Sequence, residues 1–201
     1  MMAIKKSLGV KFSRPIPKRQ QKNMIILSNW TLKCNGLEDG IPCYRVLTDE
    51  EIPCPCPDCF GKLIKKGWRT RFLTRTKHGA AEDDYEPYEK ICLLIRRMQC
   101  KECGTVHHAL PDIIVPYKRL SIDIIEGIIR QPEKPSLIAY ETAINLLKWW
   151  RFMKAYIARV APSIKEKHDY AITHEKNLRE IVRALAHSHL WPGTRSKLRG
   201  T

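Results

Sequence analysis

The chain has no apolar run approaching the roughly 18 to 20 residues that a bilayer-spanning helix needs; its longest near the N-terminus is Met24–Leu27. A membrane role is therefore not expected. Acid is missing where base is dense: the first 22 residues carry seven Lys or Arg and no Asp or Glu, and no acid stands between Glu141 and Glu166. No segment of about 7 to 15 apolar residues follows the basic N-terminal stretch, as an export signal requires, so secretion is not expected and a cytoplasmic location is. Internal repeats are absent as well.

What is present allows a folded protein. At 201 residues with 43% apolar content the chain has room for one ordinary domain or two small ones with a packed core. Thirty-six Lys and Arg against 21 Asp and Glu leave a net charge of +15, and such an excess attracts polyanions over long range. Nucleic acid is the leading partner class. The plainer explanation, a generally solvated basic surface, stands beside it, because net charge speaks to non-specific binding and not to fold.

Eight cysteines carry the strongest motif. Cys56-Pro-Asp-Cys59 and Cys100-Lys-Glu-Cys103 are two pairs of x₂ spacing with glycines for tight turns at Gly61 and Gly104. Without an export signal such pairs point to metal ligands and not to a disulfide framework. Two turns brought together place four thiolates in a tetrahedron, the arrangement of a structural Zn²⁺, with no open position for a catalytic water. Cys56, Cys59, Cys100 and Cys103 are therefore the expected ligands, and Cys54, in Cys54-Pro-Cys56, is an alternative thiol at the first pair. Cys34 and Cys43 would form half of a second site but lack two further ligands, so free or buried thiols are the simpler reading. Cys92 sits in an apolar strand and suits a small core position. His107 and His108 are adjacent and so project to opposite faces of a strand, one packed and one exposed. No catalytic residue is assigned.

The expected organisation is α+β: a small antiparallel zinc ribbon followed by an all-α, helix-turn-helix-like region. Residues 1–23 read as a flexible basic arm, functional or inert; 24–110 as the zinc-ribbon domain; 111–190 as a helical DNA-binding region; 191–201 as a basic tail. Met24 to Trp30 is strand-like. Trp68 to Arg75 alternates as a strand, with Trp68, Thr70, Phe72 and Thr74 on one face and Arg69, Arg71 and Arg75 on the other, and Ile91 to Met98 is a second strand. The acidic stretch His78 to Glu89 joins them as an exposed loop. Helical periodicity then predicts helices at about 121–130, N-capped by Ser121, at about 139–159, and at about 171–188. The candidate nucleic-acid contacts are Lys65, Lys66, Arg69, Arg71 and Arg75 with Lys77 on the ribbon, and Asn145, Lys148, Arg151, Lys154 and Arg159 on the long helix. Lysine and arginine neutralise phosphates, and a helix entering the major groove could read bases through Asn145 or Lys148. Trp149 and Trp150 are more often core than stacking platforms.

Taken together, Cys56-Pro-Asp-Cys59-Phe-Gly-Lys-Leu, Gly67-Trp68-Arg69-Thr70-Arg71, Arg96-Arg97-Met98-Gln99-Cys100-Lys-Glu-Cys103-Gly104, His107-His108-Ala-Leu-Pro111-Asp112 and Pro116-Tyr117-Lys118-Arg119 resemble an uncharacterised bacterial family, a domain of unknown function common in mobile elements of Gram-positive bacteria. The resemblance covers about residues 50 to 155. Its first half is also similar to the zinc-finger segment that precedes the helix-turn-helix in some insertion-sequence transposases. It implies a zinc ribbon followed by a helical DNA-binding part, encoded beside transposition genes, with Cys56, Cys59, Cys100 and Cys103 at the metal positions. Where family members usually carry glycine directly after the second cysteine of the first pair, this chain has Phe60 and then Gly61.

The expected function is that of a non-enzymatic, zinc-dependent DNA-binding accessory or regulatory protein of a transposon or other mobile element, with its basic strand toward the DNA backbone and, as a further partner, a transposase or recombinase. The alternatives are a catalytic transposase or nuclease subunit and a zinc-ribbon adaptor that binds a recombinase or polymerase. A three-carboxylate nuclease core is hard to fit after residue 110, where the pattern is helical and no strand series follows.

Overall fold

The computed structural model describes residues 24–51, 54, 61–79, 86–133 and 138–192. Six strands form one mixed sheet: β1 (Met24–Leu27), β2 (Thr31–Glu38), β3 (Ile41–Leu47), β4 (Leu63–Thr76), β5 (Tyr88–Cys100) and β6 (Val106–Pro111). Three helices follow, α1 (Ile122–Arg130), α2 (Tyr140–His168) and α3 (Leu178–His187).

The apolar, β-branched strand β5 is the spine of the sheet. Along one edge it pairs with antiparallel β4, from Tyr88 opposite Thr76 to Cys100 opposite Leu63. Its other edge is divided: Cys92 to Leu94 pair with parallel β3, and Arg96 to Gln99 pair with antiparallel β6. β2 then extends β3 in antiparallel fashion, and β1 extends β6 in parallel. A bulge between Lys65 and Gly67 sets the phase of β4, and Gly67 takes φ 129°, a conformation that side-chain-bearing residues rarely adopt. Past that bulge, Arg69, Arg71 and Leu73 stand opposite Ile95, Leu93 and Ile91, while Trp68, Thr70 and Phe72 stand opposite Arg96, Leu94 and Cys92 on the other face.

Leu73, Ile91, Leu93 and Ile95 are at most 2% exposed, and this apolar layer is closed by the helices. In α1, Ile122, Ile124, Ile125 and Ile128 are buried, and the helix packs against β4. In α3, the stripe Leu178, Ile181, Val182 and Leu185 is buried, and the helix packs against β1. α2 lies on α1 through a stripe that includes Leu146, Trp149, Met153, Ile157 and Ile164. It runs through Pro162, past the expected end near 159, and stops at Asp169, which is left-handed at φ 49°.

The expected zinc ribbon followed by an all-α, helix-turn-helix-like region is corrected by this arrangement. The fold is mainly a six-stranded mixed sheet with three helices. Two causes are visible. The stretch 31–47, unassigned by periodicity, forms the β2–β3 hairpin and joins β5 through a parallel pairing that no local pattern announces. The apolar stripes of α1 and α3, which a helix-turn-helix unit would bury among its own helices, instead cover the sheet.

Asp112, 4% exposed, ties the end of β6 to α3. Its carboxylate accepts from Trp30 Nε1 at 2.9 Å and from Arg183 at 3.1 Å, with Arg179 3.7 Å away, and its backbone N–H donates to Leu27 O. Among the described residues, no helix is long and apolar enough to cross a membrane.

Candidate metal centre and basic surfaces

The β5–β6 turn begins at Cys100, and three backbone bonds hold it: Cys100 N–H to Thr105 O, Gly104 N–H to Cys100 O, and Lys101 N–H to Lys62 O. Gly104 supplies the left-handed residue that this tight turn requires, with φ 69°. Cys100 is thereby buried and Cys103 exposed at the mouth of the turn. A buried third thiol, Cys54, comes from the segment after β3, and the sulfurs of Cys54, Cys100 and Cys103 all lie within 4.8 Å of one another. A tetrahedral ion with bonds of about 2.3 Å sets its sulfurs about 3.8 Å apart, so this triangle can close on a metal by small side-chain movements.

Two neighbours are shaped to the cluster. The Cys54 Sγ lies 3.6 Å from Nε2 of His107, which is fully buried on β6, a contact that holds the sulfur beside the turn. The Cys103 thiol donates to Thr105 Oγ1 at 3.2 Å; with the thiol deprotonated the hydroxyl becomes the donor, and the same contact supports a thiolate ligand. Gly61 leaves no room for a side chain: a Cβ there would stand 2.6 Å from Cys100 Sγ and 2.5 Å from Glu102 Cγ. Gly61→Ala is therefore expected to displace the Cys100 sulfur and weaken metal affinity at least about tenfold, the loss typical of disturbed ligand support, as read by a competitive chelator titration.

Of the expected ligands, Cys100 and Cys103 come together with Cys54, the alternative thiol at the first pair, while Cys56 and Cys59 lie outside the described residues. A Cys54, Cys100, Cys103 cluster could thus hold a metal ion. Among the described residues, no metal cluster includes Cys34 or Cys43. Cys34 is exposed on β2, and the buried thiols of Cys43 and Cys92 share a hydrogen bond, sulfur to sulfur 3.0 Å. Burial, reinforced by that bond, pushes the Cys92 thiol up to about 12, so it stays protonated and behaves as a core group.

Arg69, Arg71 and Arg75 share one face of β4, as their alternation predicts, but two of the three are engaged within the protein. Arg71 is half-buried and donates to the carbonyls of Val115 and Lys118, pinning the segment after β6. Arg75 pairs with Glu89 at 2.8 Å and lies over the Tyr44 ring. Lys65, Lys66 and Arg69 are exposed. On the opposite face Trp68, 37% exposed, has Arg45 from β3 and Arg96 from β5 against its ring, 5.1 and 5.5 Å from the centroid. This basic, aromatic patch was missed because its arginines come from two other strands; only the β3–β5 pairing assembles it. On α2, Lys148, Arg151, Lys154 and Arg159 are exposed on the side away from the buried stripe, and Asn145 opens onto a cavity beside Trp149.

Residues 56–150 match the model of a family described as a domain of unknown function (DUF6431). No curated protein and no solved structure matches the chain.

Proposed function

We propose that the protein binds nucleic acid through the Trp68 face of its sheet and that a zinc ion on Cys54, Cys100 and Cys103 braces the end of the β4–β5 ladder. The observation that carries this reading is the Arg45, Trp68 and Arg96 cluster, beside the exposed Lys65 and Lys66, on a chain of net charge +15. Guanidinium groups held against an aromatic ring are already ordered for binding, and beyond the N–H that Arg45 donates to Asn35 Oδ1 at 2.9 Å, their other Nη donors suit phosphate oxygens. Zinc is favoured because the donors are sulfur, and sulfur-rich sets of this kind suit a structural ion. Its chemistry here would be to cross-link the segment carrying Cys54 to the turn carrying Cys100 and Cys103. The role of a non-enzymatic accessory or regulatory factor of a mobile element, working beside a transposase or recombinase, is supported by the resemblance carried by the cysteine, arginine and proline motifs of residues 50 to 155.

The test is fluorescence anisotropy with a labelled DNA duplex across a salt series. The double variant R45A/R96A is expected to weaken binding about tenfold or more for every sequence tried and to lower the salt slope by about 1 to 2. Unchanged affinity together with an unchanged slope would sink the assignment.

A further inference from the structure

The segment Pro116–Leu120 lies along β4: Thr74 N–H donates to Arg119 O, and Ser121 N–H donates to Thr74 O. Within it Tyr117 is left-handed at φ 66°, a strained state for a bulky residue. Arg71, by donating to Val115 O and Lys118 O on either side, holds that strain in place. Strain maintained by a dedicated clamp calls for a reason, and the surroundings of Tyr117 offer one.

Three adjoining cavities of about 550, 450 and 140 Å³ all have Tyr117 in their walls. Among the described residues that line them are Arg69, Arg71, Lys90, Lys118 and Arg119, and no aspartate or glutamate. Burial and the neighbouring Arg69 push the Arg71 guanidinium down to about 10, so it remains charged at neutral pH while crowded by like charge. A recess with this lining suits an anion. The largest cavity differs from the other two, because its far wall is Leu146, Trp149 and Trp191, with Asn145 and Thr142 as neutral hydrogen-bonding groups. Lys118, whose ammonium lies 4.4 Å over the Trp149 ring, and Arg119 stand between the apolar chamber and the cationic recess.

We infer that this recess binds a nucleotide, its phosphate among Arg71, Lys118 and Arg119 and its base in the chamber of Trp149, Trp191 and Asn145. The volume fits, since ligand cavities of a few hundred Å³ are the usual size for such a molecule. A flat aromatic base suits the indole walls, and Asn145 offers both a donor and an acceptor to a base edge. The nucleotide is either free or the end residue of a single strand. The site is built without Arg45, Trp68 or Arg96, so it does not depend on the duplex contact proposed above, and either can fail alone.

Isothermal titration of the full chain with deoxynucleoside monophosphates, the matching nucleosides and inorganic phosphate tests the assignment. A monophosphate is expected to bind at least about tenfold more tightly than its nucleoside and than phosphate alone, since both halves of the ligand are used. Arg119→Ala, at an exposed position, is expected to remove about tenfold of that affinity. Asn145→Ala, also exposed, is expected to cost about fivefold while leaving phosphate binding unchanged. Competition by a 5′-phosphorylated single strand places the nucleotide at a strand end, and its failure to compete assigns the site to the free ligand. No saturable nucleotide binding, or nucleotide and phosphate binding equally well, overturns the inference.

Discussion

Replacing Cys103 by serine is expected to lower the stability of the metal-loaded protein by about 3 to 4 kcal/mol, roughly a quarter of the 10 to 16 kcal/mol that a structural zinc contributes through four ligands. For a chain of this size that is a fall of about 10 °C in the unfolding midpoint. The choice of residue makes the result diagnostic. Cys103 is exposed, and a serine at an exposed position without a metal would change stability by no more than about 0.5 kcal/mol. Cys54 and Cys100 are both buried in the apolar core, so their replacement would be costly with or without an ion. Thermal unfolding of the parent and of Cys103→Ser, each with and without a strong chelator, checks the point. The chelator should lower the parent by more than the substitution does, and should lower the variant as well, by the smaller contribution of its remaining ligands. A parent indifferent to chelation and equal to its variant would mean that the cluster holds no structural ion.

Asp112→Ala is expected to cost about 3 kcal/mol, through a different mechanism. The carboxylate is 4% exposed, and it joins Trp30, between β1 and β2, to Arg179 and Arg183 of α3. Removing it leaves the Trp30 indole N–H without its acceptor and takes the counter-charge at 3.1 Å from Arg183, while Arg179 keeps Asp123 at 3.2 Å. Both arginines keep 37 to 40% of their side chains in solvent, which places the cost at the lower end of that for a buried pair. Because the contact bridges α3 to the sheet, amides of α3 should lose hydrogen-exchange protection before those of β5. Urea denaturation measures the total, and a loss below about 1 kcal/mol would show that the stripe of α3 holds the helix to the sheet without help.

How much of this could be read from residue order depends on how local each signal is. The strands around Trp68 to Arg75 and Ile91 to Met98 were legible, and both extend further, to Leu63–Thr76 and Tyr88–Cys100. Helix α1 begins one residue after Ser121, as expected, although the Ser121 side chain makes no capping bond. Helix α3 begins at Leu178 and not near 171, because Asn177 caps it: the Asn177 side chain accepts from Glu180 N–H and donates to the Glu180 carboxylate, a reciprocal cap of the kind that an Asn-x-x-Glu spacing encodes. That signal was present and overlooked. The hairpin β2–β3 had no comparable signal, since its residues alternate poorly and β2 is mostly exposed.

The candidate sites divide in the same way. Cys100, Cys103 and Gly104 form a turn that their spacing alone implies, whereas the entry of Cys54 into the cluster depends on where the chain after β3 is carried. The basic character of the chain is a matter of composition. Which basic groups converge is not: Arg71 and Arg75 are engaged with carbonyls and with Glu89, while Arg45 and Arg96, neither among the expected contacts, meet on Trp68.

The sequence by itself determined the net charge, the thiol-bearing turn, the two central strands and the apolar stripes of the helices, because each is set by spacing within a few residues along the chain. The tertiary structure alone decided the mixed topology, the use of α1 and α3 as covers for a sheet, and the partners of Trp68, Asp112 and Tyr117. Those follow from pairings such as Cys43 with Cys92, 49 residues apart, whose stability comes from burying the whole apolar layer at once and leaves no periodic trace in either segment.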